Sequence, residues 1–234
     1  MEGCIGIVLQ NHSLLLLLII GTAFTFCWLL YHKRLLNLKW YTAVIVAVLH
    51  TVWGVICVKA FAIAEAGFDK SAAGNMSLFG AVFLMPVFYA GMAKALNVKF
   101  DTAFDYSTIC MIFTVMCARI NCIFTGCCFG WYISNTQNRW PTRETELLFY
   151  ILLMVWIVLK LRDGKTMGAI YPVYMMAYGV FRFINEFFRF HSSGTLFHPA
   201  HAWSIISFCI GLSIFIQIKN RAVNIDGKAS KNRR

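Results

Sequence analysis

Apolar residues along this chain gather into runs close to the twenty or so residues that a helix needs to cross the hydrocarbon of a bilayer. Seven runs are legible, at roughly 13–31, 40–66, 77–94, 106–129, 144–162, 168–190 and 200–218. Charge interrupts the fourth and the sixth. The pattern predicts an all-α integral membrane protein, a bundle of seven transmembrane helices forming a single domain over residues 1–218. A basic tail follows over residues 219–234. The opening segment, Met1 to His12, lacks a basic n-region and a small-residue cleavage site. It is therefore expected to lead into the first helix rather than to be a removable signal.

Lysine and arginine set the expected orientation, because basic residues collect in the cytoplasmic loops of membrane proteins. With the N-terminus outside, the inside segments hold Lys33, Arg34, Lys39, Lys94, Lys99, Lys160, Arg162, Lys165 and the six basic residues of the tail. The outside segments hold only Lys70, Arg139, Arg143 and Arg189. Fourteen against four predicts the N-terminus outside and the C-terminus cytoplasmic.

Composition agrees with a membrane span and removes other classes. Of the 234 residues 59% are hydrophobic and 13% charged, with mean hydropathy +0.67; a soluble domain carries about 25% charged residues. Disorder, a secreted disulfide scaffold and nucleic-acid binding are excluded on this ground. The net charge of +11 is concentrated partly in the tail, which reads as an anchor to anionic lipid. Nine cysteines are scattered without a C-x-x-C pair. Zinc and redox readings are accordingly weak, no metal site or cofactor is expected, and most of these thiols read as small buried apolar groups.

Three cations, Lys59, Arg119 and Arg182, fall inside predicted spans. A charge in hydrocarbon costs a few kcal/mol, so it turns toward a cavity or a partner. Counting about 1.5 Å of rise per residue puts all three ~20–28 Å from the inner helix ends, in the outer half of the membrane. Glu65, Glu146 and Glu186 fall at the same depth. On the sixth helix Tyr171, Tyr174, Tyr178, Arg182, Glu186 and Arg189 recur at three- and four-residue spacing and so share one face. Arg182 and Glu186 could be a purely structural ion pair. Three cations from three helices nevertheless suit an anionic guest, and a lipid phosphate fits their sign and depth.

The run Ala118-Arg119-Ile120-Asn121-Cys122-Ile123-Phe124-Thr125-Gly126-Cys127-Cys128-Phe129-Gly130 resembles the signature of the prolipoprotein diacylglyceryl transferase family, in its GCC-containing branch. Trp140-Pro141-Thr142-Arg143-Glu144-Thr145-Glu146 is similar to that family's proline element. Tyr178-Gly179-Val180-Phe181-Arg182-Phe183-Ile184-Asn185-Glu186-Phe187-Phe188-Arg189 resembles its Tyr-Gly-x-x-Arg-Phe element closely. Weaker echoes surround Lys59 and Met76-Ser77-Leu78-Phe79-Gly80-Ala81. The chain also departs from the pattern. Phe79 stands where the family commonly has a histidine favoured for thiol activation. Trp140 and Arg143 replace a histidine and a glutamine, and Cys127 replaces an acidic residue.

The resemblance implies transfer of a diacylglyceryl group from phosphatidylglycerol to the lipobox cysteine of lipoprotein precursors, with glycerol phosphate leaving, at the bacterial plasma (inner) membrane. Arg119, Arg182, Glu146, Tyr178 and Glu186 are then the expected catalytic residues. Arg119, Arg182, Lys59, Gly126, Gly130 and Gly80 are expected to bind substrate. With no histidine at position 79, a carboxylate must be considered as the base. Glu186 is presumed paired to Arg182, which favours Glu146. Cys127 and Cys128 read as helix-end packing or as a chemical pair. His198 and His201, with His191 nearby, form a poor metal motif, and His50 reads as a hydrogen-bonded core residue. Gly130 to Arg143 is expected to act as a moving cover, with lipid entering sideways between helices. A relative with another acceptor, a non-catalytic phospholipid-binding protein and an anion transporter are the alternatives.

Overall fold

A computed structural model describes residues 2–69, 74–133, 138–164, 168–190 and 197–231, with side chains described from 12 through 222 within those ranges. Lys70, Lys165, His191 and the side chains of the tail beyond 222 lie outside the described residues. Seven helices are described: α1 (Glu2–Tyr31), α2 (Trp40–Glu65), α3 (Phe79–Leu96), α4 (Phe100–Thr125), α5 (Thr142–Arg162), α6 (Ile170–Phe187) and α7 (Pro199–Lys231). Their number and order match the apolar runs. Several boundaries differ: α1 begins at Glu2 and α4 at Phe100, earlier than the runs, and two ends differ for reasons the structure shows. The fourth helix stops at Thr125 because Gly126 takes a left-handed conformation (φ 67°) and caps it, releasing Cys127 to Phe129 from the helix. The last helix continues through the expected tail to Lys231.

Among the described residues, five helices are long and apolar enough to cross a membrane: His12–Tyr31, α2, α3, α4 and Pro199–Ala222. The chain is thus a multi-pass membrane protein. The two helices that do not qualify are α5 and α6, which bear Glu146, Arg182 and Glu186. Large apolar side chains such as Leu15, Ile19, Ile45 and Leu152 are more than half exposed on the outside of the bundle. Charged and polar side chains, including Asp105, Arg119, Glu146, Arg182 and Glu186, are buried inside it. That inversion suits a chain whose solvent is lipid.

α4 is the central helix and packs against α1, α3, α5 and α6, while α6 and α7 form the most extensive pair. Their close approach depends on small residues, as is usual where lipid gives no hydrophobic push between helices. A Cβ on Gly179 would lie 2.6 Å from the Ser204 carbonyl oxygen, and one on Gly211 would lie 2.7 Å from that of Pro172. Gly80 plays the same part between α3 and α2, where an added Cβ would collide with the Cys57 carbonyl.

A column of buried tyrosines runs through the core. Tyr171, Tyr174 and Tyr178 follow each other along α6 at ring separations of 6.0 and 5.9 Å, with Tyr150 6.3 Å from Tyr178. Tyr171 donates to the Val82 carbonyl of α3. His50 is buried and lies 3.4 Å from the Tyr89 hydroxyl, in keeping with a core role. At one end of the column, buried Asp105 of α4 accepts hydrogen bonds from the backbone N–H groups of Gly168 (2.9 Å) and Ile170 (3.0 Å). This carboxylate fixes the start of α6 and hence the register of its polar face.

Asp105→Ala is expected to leave both N–H groups without a partner, at about 2–4 kcal/mol of stability. Thermal unfolding in detergent should show a clear drop in Tm. An unchanged Tm would remove Asp105 as the anchor.

Candidate functional site: a buried chain of ion pairs

The other end of the tyrosine column is where the C-terminal part of α4, the first turns of α5 and the C-terminal part of α6 converge. Arg119 projects from α4, Glu146 from α5, and Arg182 and Glu186 from α6. They are 6%, 2%, 6% and 3% exposed. The polar stripe read along α6 is buried as expected from Tyr171 to Glu186, and Arg189 lies half-buried just beyond the helix.

The charges alternate in a continuous chain. The Arg119 Nη2 lies 2.7 Å from Glu146 Oε1, and Arg182 Nη1 lies 3.5 Å from Glu146 Oε2. Arg182 Nη2 is 2.8 Å from Glu186 Oε2, which Arg189 Nη1 approaches at 3.9 Å. Tyr150 donates to Glu146 Oε1 at 3.3 Å. Three guanidiniums alternate with two carboxylates, so the chain carries one positive charge in excess. Among the described residues the buried Nε atoms of Arg119 and Arg182 and the Tyr178 hydroxyl have no hydrogen-bond partner. Unsatisfied buried donors of this kind are costly and hence rare. Here they belong to the residues of the net-positive chain and its tyrosine neighbour, and an anion there would meet both the donors and the charge.

The expectation that spares Glu146 from arginine pairing is corrected by this geometry. Glu146 is held by two arginines and a tyrosine, and Glu186 by two arginines, so neither carboxylate is a free base. Phe79, at the position of the family histidine, packs edge-on against Tyr178 with ring centroids 5.5 Å apart. The position thus adjoins the site and offers it no proton acceptor.

The remaining candidates sit as follows. Gly126 caps α4. Gly130 is buried where residues 129–131 pair with residues 188–190 just beyond α6, and a Cβ there would lie 2.6 Å from the Trp140 carbonyl and 2.8 Å from that of Phe188. Lys59 is half-buried on α2, two residues beyond the Cys57–Gly80 crossing, whereas Glu65 ends α2 and is exposed. His201 is buried among Phe183, Phe187 and Phe197, and its Nδ1 accepts from the His198 N–H. The expected cover is tied down at its base, since Trp131 N–H donates to the Phe188 carbonyl and Arg139 lies over the rings of Phe129 and Tyr132. Residues 134–137 of that cover lie outside the described residues. An apolar cleft of about 210 Å³ opens between α5 and α6 beside it, lined by Trp140, Thr145, Phe181, Ile184, Asn185 and Phe188 among others.

One grouping was not foreseen. The sulfur atoms of Cys122, Cys127 and Cys128 all lie within 4.8 Å of one another. Arg189 donates to Cys128 Sγ at 2.7 Å, and Arg143 to the Cys122 carbonyl at 3.3 Å. A hydrogen bond from the Cys122 side chain, followed among the favourable causes by the charges of Arg189 and Arg119, pushes the Cys128 thiol below its ordinary range despite its burial. The signal in the sequence is Cys-x4-Cys-Cys straddling a helix end, which a search for C-x-x-C overlooks.

Apolar helices around a buried, net-positive cluster of ion pairs define a multi-pass membrane protein with a charged interior. The chain belongs to the prolipoprotein diacylglyceryl transferase family, whose pattern it matches over residues 7–217. It is also similar to the phosphatidylglycerol–prolipoprotein diacylglyceryl transferase of Clostridium tetani (strain Massachusetts / E88), with 26% identity over 112 residues. That match covers 42% of this chain and 45% of the relative, less than half the length of each.

Glu146→Ala is expected to leave Arg119 and Arg182 facing each other uncompensated, costing about 3–5 kcal/mol as the loss of one partner of a buried pair does. Double substitution of Glu146 and Arg119 by alanine should cost less than the sum of the two single changes in detergent unfolding. Strict additivity would show that the ion pair is not energetically coupled.

Proposed function

We propose that this chain transfers the diacylglyceryl group of phosphatidylglycerol to the lipobox cysteine of lipoprotein precursors. The observation that carries the reading is the net-positive chain Arg119–Glu146–Arg182–Glu186–Arg189 with its unsatisfied donors, in a chain that belongs to this family. The setting proposed with it is a bacterial plasma membrane crossed by all seven helices, with the N-terminus outside and the basic C-terminal segment in the cytoplasm. Residues 1–218 form the one domain of this proposal.

The chemistry suits the site. The acceptor sulfur attacks the glyceryl carbon next to the phosphate, a C–S bond forms, and the C–O bond breaks with its electron pair leaving on the phosphate oxygen. The phosphodiester, with one negative charge, becomes a glycerol phosphate monoester with two. Negative charge thus grows on the phosphate as the reaction proceeds, and cations fixed beside it in a dry site favour the transition state over the bound lipid. In this proposal Arg119 and Arg182 hold the phosphate through Nε and Nη, Tyr178 donates to it, and Lys59 adds to the positive field. Glu146 and Glu186 orient the guanidiniums. Gly126 and Gly130 shape the loop beside them, and Gly80 brings α2 against α3. The cleft between α5 and α6 supplies a sideways route for membrane-tethered substrates.

Phe79 against Tyr178 favours one second reading, a relative that binds phospholipid without transferring it. Incubating the purified protein with diacyl-labelled phosphatidylglycerol and a lipobox peptide separates the two. Label is expected on the peptide cysteine, falling by a factor of ~100–1000 in Arg182→Ala, as for removal of one transition-state donor. No transfer by the wild type, with phosphatidylglycerol still bound in an Arg182-dependent way, would establish the second reading. Arg119→Lys keeps the charge but loses the planar fork, and is expected to fall between wild type and Arg119→Ala.

A further inference from the structure

The three-sulfur cluster lies beside the phosphate clamp and takes no part in it. Cys122 is one turn beyond Arg119 on α4, and Arg189 touches both Cys128 Sγ at 2.7 Å and Glu186 at 3.9 Å. The backbone is bent to bring the sulfurs together. Gly126 and Cys128 both take left-handed conformations (φ 67° and 58°), which folds the chain back over the last turn of α4. Such a conformation is uncommon for a residue other than glycine, asparagine or aspartate, and strain of this kind collects at functional sites.

We infer that Cys122, Cys127 and Cys128 form a three-thiolate Zn(II) site with one open position, which takes the acceptor cysteine of the lipoprotein precursor as its fourth ligand. Zinc–sulfur bonds of about 2.3 Å in a tetrahedron put the sulfurs ~3.8 Å apart, so the cluster needs to tighten by an ångström at most. Cys127 is exposed while Cys122 and Cys128 are partly buried, which leaves the fourth position facing outward. Three thiolates around a divalent ion leave one negative charge, and Arg189 meets it by donating to Cys128. Thr125 donates to Cys127 Sγ at 3.4 Å. Hydrogen bonds to the ligands themselves are a common feature of metal sites.

The inference rests on the transferase reading and supplies what that reading lacks. A thiol that coordinates zinc is deprotonated outright, so no basic side chain is needed at position 79 or from the paired carboxylates. The thiol proton leaves to solvent on coordination. The zinc-bound sulfur then forms the C–S bond as the C–O bond breaks, and the thioether product, a weaker ligand, departs.

The test begins with metal content, read independently of turnover. Wild-type protein purified in detergent is expected to hold about one Zn(II) per chain, and Co(II) in its place should give thiolate-to-cobalt absorption. Cys128→Ser and Cys122→Ser should lose the ion, while Cys209→Ser, an exposed thiol elsewhere, should keep it. A lipobox peptide should shift the Co(II) spectrum, and its serine analogue should not. Stripping the wild type with a chelator avoids the variants' folding and should slow transfer at least ~100-fold, restored by Zn(II). Wild type that retains neither zinc nor cobalt, a disulfide within the cluster, or transfer undiminished after stripping would overturn the site. A metal that answers the cysteine peptide while no diacylglyceryl moves would sustain the site and overturn the transferase.

Discussion

The Glu146 carboxylate, held between Arg119 and Arg182, is the contact on which the rest of the structure depends. It ties α4, α5 and α6 together at one end of the bundle, and each of its oxygens is committed. Two guanidiniums at this depth could not lie side by side without it. Held this way they are fixed in direction, with an edge of each left over. A buried ion pair adds little to stability beyond what apolar packing would supply, so the benefit of this arrangement lies in what the leftover edges can hold.

Burying that much charge has consequences elsewhere in the chain. α5 and α6 are too polar to qualify as spans by hydropathy, so their place in the bundle depends on the five helices that do. α4 is central for this reason: it contacts both, contributes Arg119 at the ionic end and anchors α6 through Asp105 at the other. Between the two ends, the tyrosine column fills the core with rings whose hydroxyl groups tolerate polar neighbours. Gly179 and Gly211 then seat α7 tightly against the far side of α6.

The length of the apolar runs located the helices, and three- and four-residue spacing located the polar face of α6, because both are written within one element. Orientation, read from the distribution of lysine and arginine, has no counterpart in a structure without a bilayer. The pairing of Glu146 was hidden for a different reason. Its arginines sit 27 residues before it and 36 after it on separate helices, and no local spacing says that both reach one carboxylate. The Arg182–Glu186 pair was legible at i,i+4 and is present at 2.8 Å; what local spacing did not show is that Arg182 also reaches Glu146. Asp105 was missed because one acid near a helix start looks like surface. The cysteine cluster was missed because it crosses a helix end, where the left-handed turn at Gly126 and Cys128 decides which side chains meet.

The departures from the family pattern are physically connected. At the helix-three position an apolar ring, Phe79, packs edge-on against Tyr178 where the pattern it resembles has a polar group. Across the site, a position that is acidic in the common signature has become Cys127, with Cys122 and Cys128 beside it. Arg189 reaches Cys128 and Glu186 together and so links the sulfur cluster to the ion chain. Arg119, Arg182 and Tyr178 all stay buried at the ionic end of the bundle.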